Sequence, residues 1–160
     1  AFARLWTAVR LARLRAEAGD DAAVRAAVAR RERASGVLRD RPVLFAALTW
    51  EHPDERPQLH VRYPSAPESA EWARVPMNGG PYGIEALRVR DHEPGAYRFE
   101  VRRSASEAPR ELRAELLVVS MPGTSDEHIA RQEITLPPDL ANLRFRLTDS
   151  GALEPLPGEE

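Results

Sequence analysis

The sequence predicts a mainly β fold: an immunoglobulin-like antiparallel β-sandwich of seven or eight strands, preceded by an α-helical hairpin. Three observations carry this. Leu59, Val61 and Tyr63 alternate with His60 and Arg62; Tyr97, Phe99 and Val101 alternate with Arg98, Glu100 and Arg102; Leu143, Phe145 and Leu147 alternate with Arg144 and Arg146. Period-2 patterns of this kind describe sheets with one dry and one wet face, and two such sheets bury their dry faces against each other.

The elements follow in chain order. Phe2, Leu5, Val9 and Ala12 recur at helical spacing beside Trp6, so 1–18 reads as an amphipathic helix that Gly19 stops. Asp20 or Asp21 then caps a second helix through about Ala34, whose Ala22, Ala23, Ala26, Ala27 and Val28 suit close packing on the first. Ser35-Gly36 ends it, and Arg41-Pro42 opens an extended chain. Strands are expected at 43–50, 58–63, 72–76, 84–90, 96–103, 112–120, 128–136 and 143–148. The links between them carry turn residues, as in His52-Pro53-Asp54, Asn78-Gly79-Gly80-Pro81 and Met121-Pro122-Gly123. In 112–120, Leu116 to Val119 are apolar on both faces, which predicts a central strand covered outside by the helices. The organisation is a hairpin at 1–41, a sandwich at 42–150 and a flexible, Pro-rich acidic tail at 151–160.

Composition narrows the functional classes. The chain has 160 residues, a hydrophobic fraction of 42% and no cysteine, so it has a core to bury and neither a thiol nucleophile nor a disulfide framework. Nothing approaches the roughly 18 apolar residues of a membrane-spanning helix. The first residues, interrupted by arginine, are not the core of a signal peptide. A start without Met suggests a processed or trimmed chain. All 23 basic residues are arginine, which fits the coding bias of a GC-rich bacterial genome. Residues 1–41 hold ten arginines against five acids, and 42–160 hold thirteen against twenty. Opposite charge favours docking between the two parts.

Catalytic motifs are missing. No serine sits in a G-x-S-x-G elbow, and the Gly-rich NGGPYG loop lacks the Lys-Ser/Thr of a phosphate loop. His52, His60, His92 and His128 have no short ligand spacing between them; a metal site would have to join His60 and His92 to Asp54 and Asp91. Neither cofactor nor metal is expected. The candidate binding residues are Arg62, Arg98, Arg102, Arg144 and Arg146, pointing outward from strands, with Trp72 and Tyr82 as exposed aromatics for sugar stacking or a protein contact. Two structural aromatics are expected as well: Trp50 between the sheets, and Tyr97 after Pro94-Gly95 in the setting of a tyrosine corner.

Several landmarks stand in a familiar order: Trp50, Leu59-His60-Val61, Pro64, Gly79-Gly80, Tyr82-Gly83-Ile84-Glu85 and Pro94-Gly95-Ala96-Tyr97. Together they resemble the YfaP-like bacterial domain over roughly 43–148, and the "EAGDDAA" turn resembles the helix-turn-helix of tetratricopeptide repeats. The first resemblance implies an immunoglobulin-type sandwich of exported bacterial proteins with no established reaction, hence a periplasmic or extracellular place. The second implies that the hairpin closes a longer array. Gln58 after Pro57 stands where the family tends to carry Asp, which removes a cation ligand. The function this implies is a non-catalytic cell-envelope accessory module working through protein–protein contacts, without nucleic acid. A carbohydrate-binding module, with polysaccharide as ligand, is the alternative, and a metal-dependent enzyme the third.

Overall fold

In the computed structural model the described residues are 2–36, 43–52, 55–75, 83–91, 93, 95–103, 111–122, 124–138 and 140–157. Helix α1 spans Phe2–Ala18 and α2 spans Ala22–Ser35. Asp21 is the N-cap of α2: its carboxylate accepts from the backbone N–H of Ala23 at 2.9 Å and of Val24 at 3.1 Å. Those are two of the donors a helix start leaves without intrahelical partners. Gly36 closes α2 in the left-handed conformation.

Among the described residues nine strands follow: β1 Leu44–Trp50, β2 Gln58–Arg62, β3 Ala73–Arg74, β4 Ile84–Val89, β5 Arg98–Arg102, β6 Leu112–Ser120, β7 His128–Leu136, β8 Asn142–Leu147 and β9 Leu153–Leu156. They form two antiparallel sheets, ordered β4-β1-β6-β7 and β3-β2-β5-β8-β9. The chain crosses between sheets after β1, β3, β4, β5 and β7, which gives the expected sandwich. One departure lies in the tail: 153–156, expected to be frayed, is a ninth strand paired with β8 from Arg144↔Leu156 to Leu147↔Leu153. Pro155 is tolerated there because β9 is an edge strand. The third strand is shorter than its expected 72–76.

The alternating residues meet between the sheets. Leu48 and Trp50 of β1 and Leu116 and Val118 of β6 pack on Leu59, Phe99, Val101 and Phe145 of the other sheet. The opposite side chains of the first sheet form a second apolar layer. Phe45, Ala47, Ile84, Ala86, Leu117 and Val119 are buried with Val9 and Ala12 of α1. The helix therefore covers the outer face of β6, as the two-sided hydrophobicity of that strand requires. The expected contributions of Phe2, Leu5 and Trp6 concern side chains outside the described residues. Charge pairs finish the docking. Arg13 donates to Glu115 at 2.8 Å and to Thr49 at 2.6 Å, and Arg15 bridges Glu32 of α2 and Glu127 before β7 at 2.8 and 3.1 Å.

Trp50 is nine-tenths buried in the inter-sheet core, where the sequence places it. Beside it Gly83 has φ +71°, and a Cβ there would lie 2.9 Å from the Trp50 carbonyl oxygen. Only glycine takes both that backbone and that proximity without strain. Tyr97 is buried edge-on to Tyr63 at 5.9 Å between ring centroids, and burial pushes its hydroxyl pKa up despite the neighbouring backbone of Glu93.

Candidate functional site

The outer face of the five-stranded sheet carries most of the expected binding residues, and the register explains how. Arg62 of β2, Arg98 of β5 and Arg146 of β8 lie directly opposite one another in one cross-strand row. The next row holds Arg74, His60, Glu100 and Arg144 from β3, β2, β5 and β8. Gln58, Arg102 and Asn142 form the third. Residues five strands apart in sequence order thus share one surface because antiparallel neighbours place same-face side chains side by side.

Glu100 organises this face. Its carboxylate is fully buried and accepts from Arg144 at 2.8 Å, from Asn142 at 3.2 Å and from Arg102. A charge taken out of water needs such partners, and three donors around one carboxylate supply them. At the margins, Arg98 pairs with Glu68 at 3.1 Å and Arg146 with Glu154 at 2.7 Å. The exposed side chains of Glu68 and Glu154 make these weak, screened pairs that another carboxylate can replace.

Trp72 corrects an expectation. It is half-buried rather than fully exposed, with the Arg62 guanidinium carbon 4.5 Å and that of Arg144 5.5 Å from its ring. Its polar sequence neighbours suggested an open ring; arginines from β2 and β8 occupy it through cation–π contact. Tyr82 lies outside the described residues. So do His92 and Asp54, two of the four residues that a metal site would join. His60 itself is buried, with Nε2 at 3.2 Å from the Gln58 side-chain oxygen. Burial, aided by Arg102, holds its pKa below the ordinary value, so it is neutral at pH 7. Among the described residues no three His, Asp or Glu side chains converge as metal ligands.

A cleft of about 550 Å³ opens on the other sheet beside α1, lined by Arg13, Thr49, Trp50, Arg113, Glu115 and Arg131 among others. Nothing in the sequence marks it, since it depends on where α1 lands. Arg13 and Arg131 both donate to Glu115 in it, Arg113 pairs with Glu111 at 2.9 Å, and Glu51 and Glu133 also line it.

Glu85 is the other group that sequence reasoning missed. On β4 it shares the inward face with Leu87 and Val89, is fully buried, and accepts the Leu59 backbone N–H at 2.6 Å. Its carboxylate thus ties the edge strand β4 of one sheet to β2 of the other. Burial raises its pKa, outweighing the Leu59 N–H and the cationic Arg74. A raised carboxyl pKa gives stability that is fully present below the unfolded pKa and lost as pH rises through the folded one. Glu85→Gln, which keeps an acceptor for Leu59, is expected to be more stable than the native chain above that window and to show a flatter pH dependence. Urea midpoints between about pH 4 and about pH 8 check this. Burial raises Glu32 in the same direction, so part of the native slope persists in the variant. Identical pH profiles for the two chains would remove Glu85 as its source.

Comparisons with family models, with curated proteins and with solved structures found no match to this chain.

Proposed function

We propose that this protein is a non-catalytic interaction module that docks an acidic segment of a protein partner on the outer face of the β3-β2-β5-β8-β9 sheet. The observation that carries the reading is the in-register row Arg62–Arg98–Arg146, next to a second row containing Arg74 and Arg144. With Arg102, six arginines on this face are answered by Glu100 and, at its margins, Glu68 and Glu154. The face is therefore net positive although the chain carries −2. Rows of guanidinium groups at strand spacing suit carboxylates presented by an extended or helical segment, and such complementarity speeds encounter and selects partners. On the opposite sheet α1 covers the apolar part of the outer face. A neutral sugar would need an open aromatic ring, and Trp72 offers its ring to Arg62 and Arg144 instead. The resemblance to YfaP-like domains extends this proposal to the bacterial periplasm or exterior.

The test is a titration with a synthetic Asp/Glu-rich peptide, followed by calorimetry, with a neutral β-glucan oligosaccharide and a sulfated polysaccharide alongside. The peptide is expected to bind, to weaken as salt rises, and to lose about tenfold or more in affinity in the Arg98→Glu/Arg146→Glu variant. Peptide binding that ignores the double reversal, or preference for the neutral oligosaccharide, would sink the proposal. Tighter binding of the sulfated polymer would transfer the face to an acidic glycan.

A further inference from the structure

The two sheets have four edges, and three of them are blunted. β3 is two residues long, β9 carries Pro155, and β4 has its Glu85 carboxylate committed to Leu59 of β2. Short strands, proline and inward-pointing charges are among the usual protections of an edge. β7 has none of these three. It runs nine residues, HIARQEITL, without proline or glycine, and pairs with β6 alone among the described strands.

Its two ends are occupied. His128 packs against Gly151, where a Cβ would come within 2.4 Å of the His128 Cβ, and the Leu136 carbonyl accepts from Arg103 at 2.6 Å. The open stretch is 129–135, whose midpoint is Gln132. Antiparallel pairing of two such stretches about that midpoint sets Arg131 opposite the second copy's Glu133, and Glu133 opposite its Arg131. It also sets Ala130 opposite Ile134, Ile129 opposite Thr135, and Gln132 opposite itself. Like meets like on each face: Arg131 and Glu133 are both exposed, while Ala130 and Ile134 are both buried in the inter-sheet core. Within one chain Glu133 stands directly across from Glu115, a like-charged pair. A second copy would bring a guanidinium to that site.

We infer that β7 is the seam of a two-fold symmetric homodimer, joining two four-stranded sheets into one of eight strands. The occupant of the edge is a second copy of this chain because its charge pattern is self-complementary in one register. The seam is distinct from the arginine face and leaves it open in both copies.

The chain has no cysteine, so single introduced thiols report the register cleanly. Sedimentation of the native chain from about 1 μM to about 1 mM is expected to show dimer mass growing with concentration. Gln132→Cys is expected to form a covalent dimer under mild oxidation. Thr135→Cys is not, because its thiols would stand about 20 Å apart along the paired strands. Glu133→Arg, which sets Arg131 against an arginine, is expected to weaken association about tenfold or more without lowering the melting temperature of the monomer, because it also removes the Glu133–Glu115 like-charged pair. Monomer mass throughout, equal cross-linking of the two cysteine variants, or a Glu133→Arg dimer as strong as the native one would each overturn the inference.

Discussion

Trp50→Ala is expected to lower the free energy of unfolding by about 3–5 kcal/mol, the largest loss of any single substitution argued for this chain. The indole ends β1 in the cluster that contains both sheets, and its neighbour Gly83 approaches so closely that no other side chain fits beside it. Truncation would leave a void that the β1–β4 and β1–β6 ladders are too rigid to close. Trp72→Ala is the matched control. Its half-buried ring is held by two guanidinium groups on a wet face, so its removal is expected to cost about 1 kcal/mol. Guanidinium-chloride unfolding of the two variants decides the matter. Equal losses would show that Trp50 does not fill the space between the sheets.

Deleting residues 1–36 is expected to leave a sandwich that aggregates, or one whose melting temperature falls by on the order of 10 °C. The reason is the second apolar layer. Phe45, Ala47, Ile84, Ala86, Leu117 and Val119 have Val9 and Ala12 of α1 as their cover, and deletion hands that area to water. Glu115 would also lose Arg13, one of its two arginine partners. Light scattering and a thermal melt read the outcome together. A soluble monomer with an unchanged melting temperature would make the hairpin an independent arm rather than part of the fold.

The sheets were legible in the sequence because their physical signal is local. Alternation in 58–63, 96–103 and 143–148 needs no knowledge of neighbours, and two-sided hydrophobicity in 112–120 already implies a cover on each side. The hairpin docking followed from that one strand. What was not legible depends on register and on long-range placement. The outward direction of Arg62, Arg98 and Arg146 was readable, but their alignment in one row requires the β2-β5-β8 order. Glu100 sits mid-strand among arginines and looks like an ordinary wet-face residue; its partners are Arg102 on its own strand and Arg144 and Asn142 on the neighbouring β8, a strand some forty residues on. The partial burial of Trp72 is hidden for the same reason, since its partners come from strands before and after it. Glu85 breaks the apolar rule for an inward position and gives no sequence sign of the Leu59 amide it satisfies. The ninth strand was hidden because Pro155 and flanking acids describe an edge and a loose end equally well.

The order of the strands also governs how fast the molecule forms. β2 with β3, β6 with β7 and β8 with β9 are pairs that consecutive segments can zip. The pairs that define the core are different: β1 waits for β4 and then β6, β2 waits for β5, and β5 waits for β8. Each needs a long stretch of chain to be closed into a loop before any apolar contact repays the lost entropy. Topologies dominated by such closures fold in roughly milliseconds to seconds rather than microseconds. In that interval the β6–β7 hairpin can exist before its sheet does, with the apolar residues of β6 unshielded by α1. Helices α1 and α2 precede β6 in the chain, so by the time β6 leaves the ribosome its cover has already been synthesised.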